Sequence, residues 1–236
     1  MVINGFDTWQ AAAEVKRFVG YVPGEISFPD TRSGRTFLKM QLAMLKCSHS
    51  PVVNELIDTF KIDTTADLKR MSKGMKQKVA LVCAFMTQPP VLLLDEPTTG
   101  LDPVMRDAFI DLVKRVKEGG TTIIMSSHMF NELEPTCDRI GFLHQGKLID
   151  VLDQARIHQI HQTKRVTMVF RHMKDFQRAR QAPTSVGTVK DGVLTVRQTL
   201  TPNQLPQWLG QVKNYDLLDL QIEPLSLDYY FSQKIN

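Results

Sequence analysis

Val91-Leu-Leu-Leu-Asp95-Glu96-Pro97-Thr-Thr-Gly100-Leu-Asp102-Pro103 converts an apolar run directly into paired acids. Four consecutive apolar residues, bounded by Pro89 and Pro90 before and Pro97 after, read as a strand covered on both faces, the habit of a parallel sheet. Asp95 and Glu96 then stand at its carboxyl end, where open α/β sheets place their ligands. An aspartate there suits a hydrated Mg²⁺, and a glutamate one residue further can orient the water that attacks a γ-phosphate. The bare pattern also fits a core strand that ends in two solvated acids, so the rest of the chain has to decide.

Outward from this stretch, Ser72 reads as the N-cap of a helix running to about Thr87, and Thr121–Met125 as a further buried β-branched strand with His128 at its exit. Pro103 opens a helix with Met105, Phe109, Leu112, Val113 and Val116 inward, stopped by Gly119-Gly120. Thr36–Cys47 and Pro51–Phe60 also read as helices. At 236 residues the chain can bury a sizeable core. Its net charge of +4 is mild and spread out, which gives no case for nucleic acid. Cys47, Cys83 and Cys137 lie far apart without a Cys-x-x-Cys pair and read as buried thiols in a reducing compartment. No apolar run approaches the roughly 20 residues that span a bilayer. His158 and His161 share a helical face, but without a carboxylate or Cys partner they read as solvated.

Four stretches in order carry a family resemblance. Val91–Pro103 resembles the Walker B motif and D-loop of ATP-binding cassette (ABC) ATPases. Arg70-Met-Ser-Lys-Gly-Met-Lys-Gln-Lys-Val79 resembles the ABC signature, Ser126-Ser127-His128 the switch histidine, and Phe18-Val-Gly-Tyr-Val-Pro-Gly-Glu25 the strand entering the Q-loop. The resemblance implies an α/β, P-loop NTPase-like core, incomplete at its start, with a helical subdomain and a small α+β appendage. It divides the chain into residues 1–32, the core up to the Q-loop; 33–88, the helical subdomain with the signature; 89–162, the Walker B, D-loop and switch-histidine part; and 163–236, an appendage whose β-α-β-β-α-β order suggests a ferredoxin-like unit.

By the same resemblance, Asp95 is the Mg²⁺ ligand, Glu96 the catalytic base and His128 the γ-phosphate sensor. Ser72, Lys73, Gly74 and Met75 form a signature that meets nucleotide held by another subunit, and Asp102 is the D-loop aspartate. Lys73 replaces a glycine and Met75 a glutamine of the family pattern. Gly24 stands at the Q-loop glutamine position, and Glu25 takes part of that role through a water. Ile26–Asp30 reads either as a packed loop or as the surface that grips a membrane partner.

A P-loop, Gly-x-x-x-x-Gly-Lys-Ser/Thr, should precede Phe18 and does not. Gly141-Phe-Leu-His-Gln-Gly-Lys-Leu148 comes nearest, but has Leu148 in place of the hydroxyl and reads as two strands joined at Gln145-Gly146. The expectation is therefore an ATP-hydrolysing exporter subunit truncated before its P-loop, using ATP and Mg²⁺. It would work with a separate membrane-spanning permease and a second cassette, without nucleic acid, on the cytoplasmic face of the membrane. The alternative is a non-catalytic cassette that lends its signature to a partner. A soluble ABC protein of translation or repair fits least, since neither a tandem cassette nor a long coiled-coil insertion is present.

Overall fold

Local hydrogen bonding sets the start of the chain. In the computed structural model, which describes residues 1–29, 33–47, 50 and 52–235, β1 (Val2–Ile3) and β2 (Phe6–Asp7) form a small antiparallel hairpin. A single helical turn, α1 (Ala12–Val15), follows. Asp7 Oδ1 accepts from the N–H groups of Trp9 and Gln10, which holds that stretch in a turn and leaves Trp9 91% exposed.

The chain divides into two compact units, Met1–Thr136 and Cys137–Asn236. In the first, β3 (Val19–Val22) leads to three helices. α2 (Gly34–Met44) is capped by Ser33, whose hydroxyl accepts from Thr36 N–H, and so begins two residues earlier than the apolar pattern indicated. α3 spans Val52–Thr59; Pro51, its anticipated first residue, lies outside the described residues, as does Asp30 of the loop after the Q-loop position. α4 (Lys73–Phe85) follows its Ser72 cap. Then come β4 (Val91–Asp95), α5 (Pro103–Glu118), β5 (Thr122–Ser126) and the single turn α6 (Phe130–Leu133).

β3, β4 and β5 form a parallel sheet with β4 in the centre. Val79, Leu81, Val82 and Phe85 of α4 share a core with Leu92 and Leu94 of β4 and Phe109 of α5, and the Phe85 and Phe109 rings meet edge to face at 6.4 Å. Gly20 allows α4 to lie close against β3, since a Cβ there would strike the Ala84 carbonyl. Cys83 joins this core, and burial pushes its thiol up to about 12.

Two sequence expectations need correction. β4 is fully buried only through Leu92 and Leu94, while Val91 and Leu93 are half-buried. Thr121–Met125 does not give a buried strand: β5 alternates between exposed and half-buried, and Ile124 is 57% exposed. The reason is topological, because β5 pairs with β4 along one side and is an edge among the described residues.

In the second unit, β6 (Arg139–His144) and β7 (Lys147–Asp153) form a hairpin turning at Gln145 and Gly146, with φ of 47° and 74°. Both central residues lie in the left-handed region, as a tight hairpin turn requires. α7 (Gln154–Gln162) follows, its His161 Nδ1 lying 3.0 Å from the Leu225 carbonyl. β8 (Lys164–Phe170), α8 (Met173–Arg180), β9 (Val186–Lys190), β10 (Val193–Leu200), α9 (Leu205–Val212) and β11 (Leu217–Pro224) build an antiparallel sheet in the order β11-β8-β10-β9. Val166, Met168, Phe170, Phe176, Val196 and Trp208 form its core.

α10 (Leu227–Ile235) closes the chain, with Phe231 stacked on Phe142 of β6 at 4.1 Å. Asp150 of β7 accepts from Lys234 Nζ at 2.5 Å and Tyr230 Oη at 3.0 Å. The Lys234 hydrogen bond, first among several causes, lowers the Asp150 pKa below its usual 3.8, and Asp150 in turn raises the Lys234 pKa above 10.5. The carboxylate's contribution is present above the unfolded Asp pKa and lost as pH falls through the folded one; the lysine's is present below the unfolded Lys pKa and lost as pH rises through its raised value. Asp150→Asn should therefore speed amide exchange in α10 at neutral pH, and wild type should show the same change only below about pH 4. Equal α10 exchange in both proteins at neutral pH would remove this contact from the account.

Candidate functional site

The parallel register of β4 and β5 sets Asp95 opposite Ser126 and builds the acidic site from there. Ser126 Oγ donates to Asp95 Oδ1 at 2.5 Å and accepts from the Glu96 N–H at 3.0 Å. The Glu96 N–H also reaches the Ser126 carbonyl at 3.2 Å. Glu96 is held at φ 45°, a left-handed conformation that a side-chain-bearing residue adopts at a cost of about 1–3 kcal/mol. That turn carries its carboxylate across to the next loop, where Oε2 lies 2.8 Å from His128 Nδ1. The Glu96 side chain is 32% exposed and that of His128 74%, so the pair faces solvent.

β3 runs beside β4 with Val22 opposite Leu94, which brings Gly24 against the acid. A Cβ on Gly24 would lie 2.8 Å from Asp95 Oδ2. Gly24 thus lies against the carboxylate, but no side chain extends from it. Glu25 is exposed, while Ile26 and Phe28 pack on the core, with the Phe28 and Phe37 rings edge to face at 4.8 Å. Of the two readings of that loop, packing accounts for these two apolar residues.

Gly24, Glu25, Lys73 and Gln77 line one cleft of about 310 Å³ beside the start of α4. There Ser72 Oγ accepts from the Met75 N–H at 3.3 Å, as an N-cap should. Gly74 has a reason to be glycine within this chain, because a Cβ would strike the Gly100 carbonyl. Gly100, at φ 80°, belongs to the loop after Glu96, so that loop and the start of α4 are in contact. Asp102 caps α5, its Oδ1 accepting from the Met105 N–H at 3.0 Å. The structure thus gathers Asp95, Glu96 and His128 at one place, and Ser72, Gly74 and the loop carrying Gly100 at another.

Several residues here escaped the sequence reading. Gln77 is buried and donates through Nε2 to the Pro97 carbonyl at 2.8 Å, tying α4 to the loop after Glu96. Thr98, Ser127 and Arg106 converge on the carboxylate of Glu132. The available signal was a glutamate four residues after His128 between Phe130 and Leu133, too slight to interpret without the fold. Among the described residues no group of three His, Cys, Asp or Glu side chains could cage a metal. No helix of the described residues is long and apolar enough to cross a membrane.

Comparison with known proteins gives this geometry a context. The linearmycin resistance ATP-binding protein LnrL of Bacillus subtilis is 31% identical over 156 residues, which cover 64% of this chain and 50% of that protein. The ABC transporter ATP-binding protein NatA of the same organism is 31% identical over 155 residues, covering 63% of each. This chain is homologous to ABC transporter ATP-binding proteins. A solved structure of an ATP binding subunit of an ABC transporter matches with a TM-score of 0.59 at 28% identity, covering 66% of this chain and 67% of that one. A post-hydrolysis dimer of the ATP-binding cassette MJ0796 bound to ADP and Pi matches with a TM-score of 0.57 at 19% identity, covering 64% of this chain and 72% of that one, and bears on the fold alone.

Residues 52–133 also match the family described as "AAA domain, putative AbiEii toxin, Type IV TA system". The fold is that of an ABC ATPase cassette, a P-loop NTPase type. The chain spans about half the length of the curated relatives it matches first among bacterial ATP-binding proteins. Gly141–Leu148, the stretch nearest to a P-loop in sequence, is a hairpin.

The left-handed Glu96 makes a direct prediction. Glu96→Gly, which is free of Cβ strain, should be more stable than Glu96→Ala by about 1 kcal/mol in chemical denaturation, since only the alanine retains the strain. Equal stabilities would mean that the turn is not strained.

Proposed function

We propose that this chain is the ATP-binding and ATP-hydrolysing subunit of an ABC membrane exporter. It would lie on the cytoplasmic face of the membrane through a separate permease, and pair with a second cassette. The observation that carries the reading is the 2.8 Å contact between Glu96 and His128 at the carboxyl end of β4. A carboxylate and an imidazole at this separation suit the holding of a water for in-line attack on a γ-phosphate.

In that role Glu96 accepts the water's proton, and His128 holds the carboxylate and faces the phosphate. Asp95 fits a hydrated Mg²⁺: Ser126 occupies Oδ1, Oδ2 faces Gly24, which has no side chain to engage it, and Mg²⁺ characteristically takes one or two carboxylates with waters and phosphates. The ion, when bound, would neutralise charge on the phosphates. Ser72, Lys73, Gly74 and Met75 offer the start of α4 to nucleotide held by the second cassette, where helix N–H groups and a lysine favour a phosphate.

A second reading has one observation in its favour. Gly24 leaves the Q-loop position without a side chain at Asp95, which suits a cassette that lends its signature and does not hydrolyse. The two readings separate in the complex purified from the source cells with its membrane partner. Under the first, Glu96→Gln lowers phosphate release by about 10²–10⁴-fold while calorimetry still detects MgATP binding. If phosphate release survives Glu96→Gln and falls with Ser72→Ala, the chain serves as the signature-lending partner. If neither substitution changes turnover, both readings fail.

A further inference from the structure

Glu132 is the most deeply buried charged side chain at the site, at 0% exposure. Its two carboxylate oxygens are divided between two loops. Oε1 accepts from Thr98 Oγ1 at 2.6 Å, and Oε2 accepts from Ser127 Oγ at 3.0 Å. Thr98 stands two residues after Glu96, and Ser127 immediately precedes His128. Arg106 Nε lies 3.0 Å from Oε1 as an ion pair, at an angle outside hydrogen-bond range, and supplies the compensating charge. A buried carboxylate needs such partners, and two of these three belong to the loops that carry Glu96 and His128.

We propose that Glu132 is the positioning residue of the Glu96–His128 pair, one rigid carboxylate that fixes the separation of the two loops carrying them. His128 is 74% exposed, so packing does little to orient its ring and the loop beneath it has to do so. Ser127 Oγ also accepts from the Met129 N–H at 3.0 Å, bracing the turn around His128. On the other side, Gln77 holds the Pro97 carbonyl, and Thr98 ties the next residue of the loop after Glu96 to Glu132. Thr136 Oγ1 donates to the Glu132 carbonyl at 2.6 Å and fixes the turn from which the carboxylate projects. The proposal rests on the reading of Glu96 and His128 as the pair that holds the water.

The test reads the histidine directly and needs no nucleotide, so its failure is distinguishable from failure of the ATPase reading. A carboxylate only accepts, so contact with Glu96 requires the proton of a neutral His128 ring to sit on Nδ1, whereas an unconstrained imidazole favours Nε2–H. In ¹⁵N spectra of histidine-labelled chain, at a pH where the ring is neutral, His128 should be mainly the Nδ1–H tautomer. Glu132→Ala should invert that ratio as fully as Glu96→Ala does, with the amide signals of β4 and α5 retained. Thr98→Ser, which keeps the hydroxyl, should preserve the wild-type ratio. A folded Glu132→Ala chain with the wild-type tautomer, or a wild-type chain already dominated by Nε2–H, would overturn the proposal. If Glu132→Ala does not fold, the pair Thr98→Val and Ser127→Ala decides, since it removes both donors and leaves the Arg106 ion pair. Inversion supports the proposal, and the wild-type ratio refutes it.

Discussion

The parallel pairing of β4 between β3 and β5 is the constraint on which the rest of the first unit depends. A parallel sheet aligns the carboxyl ends of its strands, so each exit loop opens at one edge. The pairing of Asp95 with Ser126 and of Val22 with Leu94 therefore places three loops beside one carboxylate, although their residues are far apart in sequence. A one-residue slip of β5 would move Ser126 away from Asp95 and reverse which side chains face the helices. The apolar cover on one face, from α4 and α5 against Leu92 and Leu94, makes such a slip costly.

On this frame the site is held mainly by hydrogen bonds from small side chains. Ser126 serves Asp95 and Glu96, Gln77 serves the loop after Glu96, and Thr98 and Ser127 share Glu132. Such an arrangement positions charged groups without enclosing them, which leaves Glu96 and His128 open to a ligand. The local strain at Glu96 is sustained by its two bonds to Ser126. The close approach of Gly74 to Gly100 joins the start of α4 to the loop after Glu96. A change at either glycine is thus felt at both.

Much of this was legible in the chain itself. The α5 helix starts at Pro103 and stops at Gly119, as its end signals indicated, because capping and chain reversal are set by a few adjacent residues. The same holds for the Ser72 cap and for the hairpin turn at Gln145-Gly146, whose φ values of 47° and 74° are those that a tight turn requires. Illegible were the depth of burial and the long-range partners. Thr122–Ser126 has the composition of an interior strand, yet which neighbours flank it is a property of the sheet. Trp9, apolar by type, lies exposed because Asp7 turns the backbone beneath it.

The sequence by itself determined where acids, glycines and caps fall along the chain, and so the element types, the exit of Asp95 and Glu96 from a strand, and the order of motifs that resembles an ABC cassette. These are local properties, set by spacing and backbone preference. Only the tertiary structure decided that Glu96 turns left-handed to meet His128, that Gly24 lies against Asp95, and that Glu132 is a buried acceptor shared by two loops. Each depends on strand register and helix packing between residues remote in sequence. The energy of a buried charge or a short hydrogen bond is fixed by its surroundings, and those exist only once the chain has folded.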